Sequence, residues 1–426
     1  MNGPAVPVLL RDTDFRRFFV GQSASLLGDQ ISTLAVPLTA VLVLHAGAGQ
    51  LGLLTAAGLL PSLLFSLAAG AWIDRRGDRR RVMLAADFLR GAALLSLPLA
   101  YAAGHLTLPH LYAVAFTVGT LDVAFFVSYN ALVSVMVAPR DYVAANSLLN
   151  GSRSLASVVG LALGGTLVAA LTAPGALLLD AASFLVSGRQ LSRIHPVEVP
   201  PGPESGQGVL GGAAFIRSSR LVRAILASTT TVNLFTFIGN AILILYATRT
   251  LHLGPSLIGV AFGAGAVGGI AGAATCSRLV RRVGLGPAFA VGSFLFPLPI
   301  LLFPAAHGPT PLVLTMLIAG EFFSSVGVIW LDSTAGAIFG QEIPDGLRSR
   351  VSGAYRTVNY GVRPIGALLG GALGSTIGLR DTLWVCAVGA SCSGLWLLRP
   401  AVLGLRTREE TPTPDPLPGA ATPHVE

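Results

Sequence analysis

Hydrophobic and polar positions fall in blocks along this chain: long apolar runs are cut by short charged or proline-rich breaks. A helix that crosses a bilayer needs about 20 mainly apolar residues. Twelve runs qualify, at 17–44, 51–73, 82–103, 109–137, 143–171, 175–192, 221–248, 256–279, 285–305, 311–339, 350–377 and 381–398. The sharpest break is Gly70–Arg81, which carries Arg75, Arg76, Arg79, Arg80 and Arg81. Such charges enter hydrocarbon only at high cost, so the stretch predicts a tight turn in water or headgroups. The longest break, His195–Arg220, is rich in proline and glycine and predicts a linker with one short surface helix at Gly212–Arg217.

The pattern divides the chain into an N-terminus (1–16), a six-helix bundle (17–192), a linker (193–220), a second six-helix bundle (221–398) and a disordered tail (399–426). The two bundles repeat at an offset of about 206 residues, a spacing that marks internal duplication. Leu51-Gly52-Leu53 answers to Ile258-Gly259-Val260, Gly77 to Gly284, Pro139 to Pro344, and Gly164-Gly165 to Gly370-Gly371. Six crossings return the chain to the side it left. The predicted fold is therefore an all-α membrane protein of twelve helices, two bundles in parallel repeat about a pseudo-two-fold axis along the membrane normal.

Composition agrees. Hydrophobic residues make up 53% and charged residues 11%, where a soluble domain carries about 25% charged residues. The net charge of +8 reads as loops facing anionic lipid, not as a nucleic-acid surface. Only Arg249 and Arg380 fall in odd-numbered loops, and Arg90, Arg153, Arg356 and Arg363 lie within runs; the remaining arginines sit at the ends or in even-numbered loops. Basic loops stay inside, which places both termini in the cytoplasm of a cell membrane. All 28 basic residues are arginine, which points to a GC-rich bacterial genome. Cys276, Cys386 and Cys392 have no metal-ligand or disulfide spacing, and no Gly-Lys-Ser/Thr loop is present. No metal, cofactor, ATP or enzyme chemistry is expected.

Polar residues inside the runs fall in stripes. Gln22, Leu26, Asp29 and Thr33 share one face of run 1, and Thr229, Asn233, Thr236 and Asn240 one face of run 7. Run 10 carries Glu321, Ser325, Val328 and Asp332; run 4 carries Asp122, Phe126, Tyr129 and Asn130. Runs 5 and 11 add Asn146, Asn150, Arg153 and Ser157, and Arg356, Tyr360 and Arg363. Intramembrane ionisable groups mark function by default. The stripes predict a shared aqueous cavity lined by Gln22, Asp29, Thr33, Asp122, Asn233, Asn240, Glu321 and Asp332. Arg153 and Arg363 are expected to neutralise carboxylates, and Asp180 and the Asp87–Arg90 pair, read as lying near the cytoplasmic end of run 3, to serve structure or gating.

Gly70-x-x-x-Asp74-Arg75-x-Gly77 followed by Arg79 resembles the loop 2–3 signature of the major facilitator superfamily, while Arg281 replaces the second copy of Asp74. Leu179–Leu185, Ala138–Arg140 with Ala145–Ser147, and Arg348–Gly353 leading to Pro364–Gly371 resemble its branch of macrolide and siderophore exporters. Gly160–Gly165 is similar to the antiporter motif, with Leu161 at the usual proline position. The resemblance implies that spans 1, 4, 7 and 10 line the cavity, with 2, 5, 8 and 11 between the halves. It also implies secondary transport by alternating access in a monomer. The first expectation is proton-driven export of hydrophobic or amphipathic molecules such as drugs; a dedicated siderophore or natural-product exporter, nutrient uptake and a non-transporting sensor are the alternatives. The proton work falls to Asp29, Asp122, Glu321 or Asp332, since the histidines within this region sit in or beside loops.

In the family the motif carboxylate tethers span 2 to span 11 and favours the outward-facing state. Asp74→Asn is thus expected to shift the balance toward inward-open without changing which substrates bind, as read by site-directed labelling of cavity cysteines. A changed substrate profile with unchanged labelling contradicts that role.

Overall fold

The structure, a computed structural model, describes residues 8–195 and 210–397, apart from the side chains at 8, 67–72, 74–76, 210–213, 345 and 349. The N-terminal half comprises α1 (Thr13–Val43), α2 (Ala48–Arg76), α3 (Arg79–Ala102), α4 (Leu108–Met136), α5 (Tyr142–Leu171) and α6 (Ala173–Ser192). A short helix, Leu210–Ser218, precedes the C-terminal half. That half comprises α7 (Arg220–Arg249), α8 (Pro255–Val283), α9 (Leu285–Ala305), α10 (Thr310–Glu342), α11 (Arg348–Thr376) and α12 (Leu379–Ser391, prolonged by the 3-10 stretch Cys392–Leu397). Among the described residues nine of these helices are long and apolar enough to cross a membrane on their own. The other three, α6, α11 and α12, complete the two bundles. Four arginines in α11, Arg348, Arg350, Arg356 and Arg363, lower its hydropathy, and α12 is broken at Ser391.

Local chemistry explains the boundaries. Asp12 caps α1 by accepting from the amides of Asp14 (2.8 Å) and Phe15 (2.9 Å), so the helix begins at Thr13, inside the stretch assigned to the N-terminus. The turn expected over Gly70–Arg81 is far shorter: α2 stays helical to Arg76, and only Gly77 and Asp78 are left to reverse the chain. Gly77 does so at φ 72°, and its repeat partner Gly284 stands at φ 89° between α8 and α9, a region open to glycine at little cost. The side chains of Asp74 and Arg75 in the loop 2–3 motif lie outside the described residues, as do most of the linker and the tail from residue 398. Arg79 opens α3, and Arg80 next to it donates to the carbonyls of Leu191 (2.9 Å) and Ser192 (2.6 Å). Arg17 donates to Arg193 O at 2.7 Å, so two arginines cap the C-terminus of α6, where the helix dipole favours cations.

Call the end that carries this turn and the chain's start the terminal end, and the opposite one the far end. Within the first half α1 packs on α5 and α6, and α3 on α4 and α6; the halves meet where α2 crosses α11 and α5 crosses α8. Both crossings are backbone on backbone. A Cβ built on Gly52 would lie 2.6 Å from Ala367 O and 2.7 Å from Gly371 Cα. One built on Gly165 would lie 2.4 Å from Pro255 O and 2.9 Å from Gly259 Cα. The repeat exchanges these two pairs. Arg249 of α7 adds a bond to His45 O at 3.0 Å, in the far-end turn between α1 and α2. These contacts gather toward the far end. Nearer the terminal end, Asn130, Asn150, Arg153, Asp332 and Arg356 are exposed on membrane helices. Exposed charge at membrane depth faces water, not lipid, so the seam between the halves opens toward the terminal end.

Any side chain at the crossing forces the helices apart. Gly52→Val is expected to destabilise the protein by about 1–3 kcal/mol, the cost of overpacking, and to raise far-end cysteine labelling. Gly336→Ala, where nothing lies within 4 Å of the added methyl, is the matched control. A Gly52→Val protein with the control's denaturation midpoint and labelling contradicts the close crossing.

Candidate functional site

A cavity of about 990 Å³ lies between the halves. Its walls come from α1, α2, α4, α5, α7, α8 and α10, with α3 and α6 contributing Arg90, Leu94, Asp180 and Phe184. Aromatic and aliphatic groups dominate: Phe125, Phe126 and Tyr129 from α4, Phe237 and Ile244 from α7, Phe262 from α8 and Ile329 from α10. That mixture of apolar wall and few polar groups suits a small organic ligand.

Arg90 organises the polar side of the N-terminal half. It stands midway along α3, with its side chain only 4% exposed, not near the helix end where the Asp87–Arg90 pair is read from sequence. Its Nη2 donates to Asp87 Oδ1 at 2.5 Å and its Nη1 to Asp122 Oδ1 at 2.6 Å. Its guanidinium carbon lies 4.2 Å from the centre of the Phe125 ring and 4.4 Å from that of Phe184, an arrangement in which ring faces stabilise the cation. Asp87 is buried behind it and accepts from Ser187 Oγ at 2.7 Å; Gln22 Nε2 donates to Ser187 Oγ at 3.4 Å. Asp122, by contrast, leaves half of its side chain open to the cavity.

Two further carboxylates complete the group. Asp180 sits between α6 and α1, accepting from Ser32 Oγ and from Ser183 Oγ (3.1 Å). Gly28 makes that contact possible, since a Cβ there would overlap Asp180 Oδ1 and Ser183 Oγ. Asp29 lines the cavity within electrostatic range of Asp180, Asp122 and Arg90, and its carboxylate has no hydrogen bond among the described residues. Asp87 and Asp122 thus share one guanidinium, Asp180 is held by serine hydroxyls, and Asp29 stands in electrostatic range of both groups.

Of the residues expected in the cavity, Gln22, Asp29, Thr33, Asp122, Asn240 and Glu321 line it, and Asn233 and Asp332 do not. The run 7 stripe splits. Thr229 Oγ1 accepts from Tyr355 Oη (2.9 Å) and Asn359 Nδ2 (3.2 Å), and Asn233 donates to Asn359 Oδ1 (3.3 Å), so both are absorbed by α11. Asp332 lies farther toward the terminal end, in electrostatic range of Arg363. Arg363 itself donates to Asn233 Oδ1 at 3.2 Å and stacks over Tyr360 at 4.2 Å. Arg356 lies 5.7 Å from the Tyr360 ring centre. Neither lines the cavity, and Arg153, which does, makes no salt bridge among the described residues. In the N-terminal half the neutralising cation is Arg90, bonded to Asp87 and Asp122, while Arg363 is the cation facing Asp332 in the C-terminal half. Ser32, Ser183 and Ser187 escaped the sequence reading, although Asp180, Ser183 and Ser187 keep helical i, i+3, i+7 spacing.

Solved structures with this architecture include a bacterial homologue of the iron transporter ferroportin in its inward-facing state, with TM-score 0.73 and 19% identity over 92% of this chain and 100% of that one. The nucleoside transporter NupG aligns with TM-score 0.68 and 13% identity over 91% of this chain and 97% of its own. At such identities the likeness concerns the fold. Among sequence relatives, the multidrug efflux pump Tap of Mycobacterium tuberculosis is 28% identical over 400 residues, 87% of this chain and 90% of that protein. Its namesake in Mycolicibacterium fortuitum is 25% identical over 382 residues, 83% of this chain and 88% of that protein. The model of the family described as transmembrane secretion effector (MFS_3) matches residues 5–417, and the chain belongs to that family, as a multi-pass membrane transporter of the major facilitator superfamily.

Proposed function

We propose that this protein exports hydrophobic or amphipathic small molecules, drugs among them, by exchange for protons. The observation that carries the reading is the cavity itself: an apolar, aromatic chamber of about 990 Å³ with a cluster of carboxylates sharing one arginine on its inner wall. The name of the Tap relatives supports drug efflux as the direction and class of transport. Both termini are assigned to the cytoplasm from the arginine distribution. The cavity then opens to the cytoplasm, where a substrate for export is loaded. Transport proceeds as the far-end crossings part and the terminal end closes around the site.

Asp29 and Asp122 are the groups we assign to proton exchange, because both face the cavity and both lie beside Arg90. A proton on Asp122 weakens its hold on Arg90, and the guanidinium then has Asp29 as an alternative partner. The proton and the guanidinium thereby compete for Asp122. No ATP or metal is required, and the monomer suffices because the site lies wholly within one chain.

Accumulation of a compound panel in a pump-deficient host, with and without a protonophore, tests the reading. Expression is expected to lower accumulation of lipophilic compounds, and the protonophore to abolish that difference. Asp29→Asn is expected to remove gradient-driven export while leaving the protein folded. Arg90→Met, which strands two carboxylates, is expected to cost about 3–5 kcal/mol of stability, and the added Asp122→Asn to recover part of it. Undiminished export by Asp29→Asn removes that residue from coupling.

A further inference from the structure

The two halves furnish the cavity unequally. The N-terminal half brings Asp29, Asp122, Asp180, Arg90 and Arg153 to the wall, whereas the C-terminal half brings one ionisable group, Glu321 of α10. The Glu321 carboxylate has neither a hydrogen bond nor an ion pair among the described residues. Ser325, one turn further along α10, faces the same space, and the C-terminal half also lines the cavity with Phe237, Asn240, Phe262 and Ile329, the Phe237 ring carrying Arg363 at 5.1 Å from its centre. The space in front of Glu321 depends on Gly265 of α8. A Cβ at that position would lie 3.0 Å from Ser325 Oγ and 3.2 Å from Glu321 Oε2, so even a methyl group presses on both oxygens.

An ionised carboxylate in an apolar wall is costly unless a cation meets it. In the other half Arg90 fills that role for Asp87 and Asp122, and serine hydroxyls serve Asp180. Among the described residues nothing does so for Glu321, and the cavity wall of the same half carries the Phe262 ring, whose face attracts organic cations.

We propose that Glu321 and Ser325, given room by Gly265, form the subsite that receives the cationic head of the transported molecule. The ligand class is the lipophilic organic cation, a protonated amine or a quaternary centre, with its apolar body against Phe237, Phe262 and Ile329. The proposal rests on the export reading above and divides the work of that site: the Arg90 cluster exchanges the proton, and Glu321 selects the substrate's charge.

The test uses the full chain, in detergent for binding and in proteoliposomes for transport, with tetraphenylphosphonium as the cation and triphenylphosphine oxide as a neutral probe of similar shape. Glu321→Gln is expected to weaken tetraphenylphosphonium binding about tenfold or more, the loss of one charge-assisted contact, and to leave the neutral probe unaffected. Glu321→Asp keeps part of the affinity, and Gly265→Val weakens the cation selectively with Glu321 intact. Retained cation binding in Glu321→Gln, or equal loss for both probes, overturns the proposal. Loss of gradient-driven transport of both probes with binding intact gives Glu321 to the proton and overturns it as well. A wild-type protein that exports the neutral probe alone defeats the subsite and spares the export reading. One that binds neither probe and changes no compound's accumulation defeats both.

Discussion

Two glycine-on-glycine crossings, Gly52 over Gly371 and Gly165 over Gly259, set the geometry on which everything else depends. At each, a helix backbone of one half lies against a helix backbone of the other with no side chain between them. Lipid tails are as apolar as leucine, so helices in a bilayer gain little from hydrophobicity and much from close packing of small residues. Close approach at the far end forces the bulkier residues elsewhere along α2, α5, α8 and α11 to hold the halves apart. The cavity is the space that results. The same contacts are built to part: they are flat and consist of van der Waals contact, and the adjoining hydrogen bond, Arg249 to His45 O, uses an exposed arginine.

Inside the first half the governing constraint is electrostatic. Burying an ion without a partner is costly, and the fully buried Asp87 and Arg90 are accordingly bonded to each other. Arg90 has two carboxylates and two aromatic faces around it, and α3, α4 and α6 are oriented by those contacts as much as by packing. Gly28 belongs to the same set, because it lets α1 come close enough for Ser32 to reach Asp180. The second half solves the problem differently. Thr229, Asn233, Asn359 and Tyr355 satisfy one another as neutral groups between α7 and α11, with Arg363 bonded to Asn233 at their edge.

That contrast explains what could be read from the sequence and what could not. The twelve runs and the half-length repeat follow from hydropathy and glycine spacing, which local sequence reports directly, whereas the helices that meet across the seam are implied by the family resemblance alone. The stripe Gln22, Asp29 and Thr33 faces the cavity as its spacing implies. The matching stripe in α7 has equally regular spacing, yet Thr229 and Asn233 turn to Tyr355 and Asn359, partners more than a hundred residues away. Periodicity shows that residues share a face and says nothing of what that face meets. Depth was the other gap. Arg90 lies only nine residues after Arg81, which made the Asp87–Arg90 pair look peripheral, but the turn takes just Gly77 and Asp78. With α3 starting at Arg79, Arg90 is carried to the middle of the helix.

The duplication therefore preserved the frame and released the chemistry. Glycines at the crossings and at the α2–α3 and α8–α9 turns keep their counterparts, since the backbone geometry they allow is needed in both halves. Charges do not. Asp29 has Thr236 at its repeat position and Asp74 has Arg281. A transporter that closes around one asymmetric molecule gains nothing from two identical walls. A half rich in bonded charge and a half with one unbonded carboxylate present an entering ligand with two different surfaces, and the rocking motion brings both onto it at once.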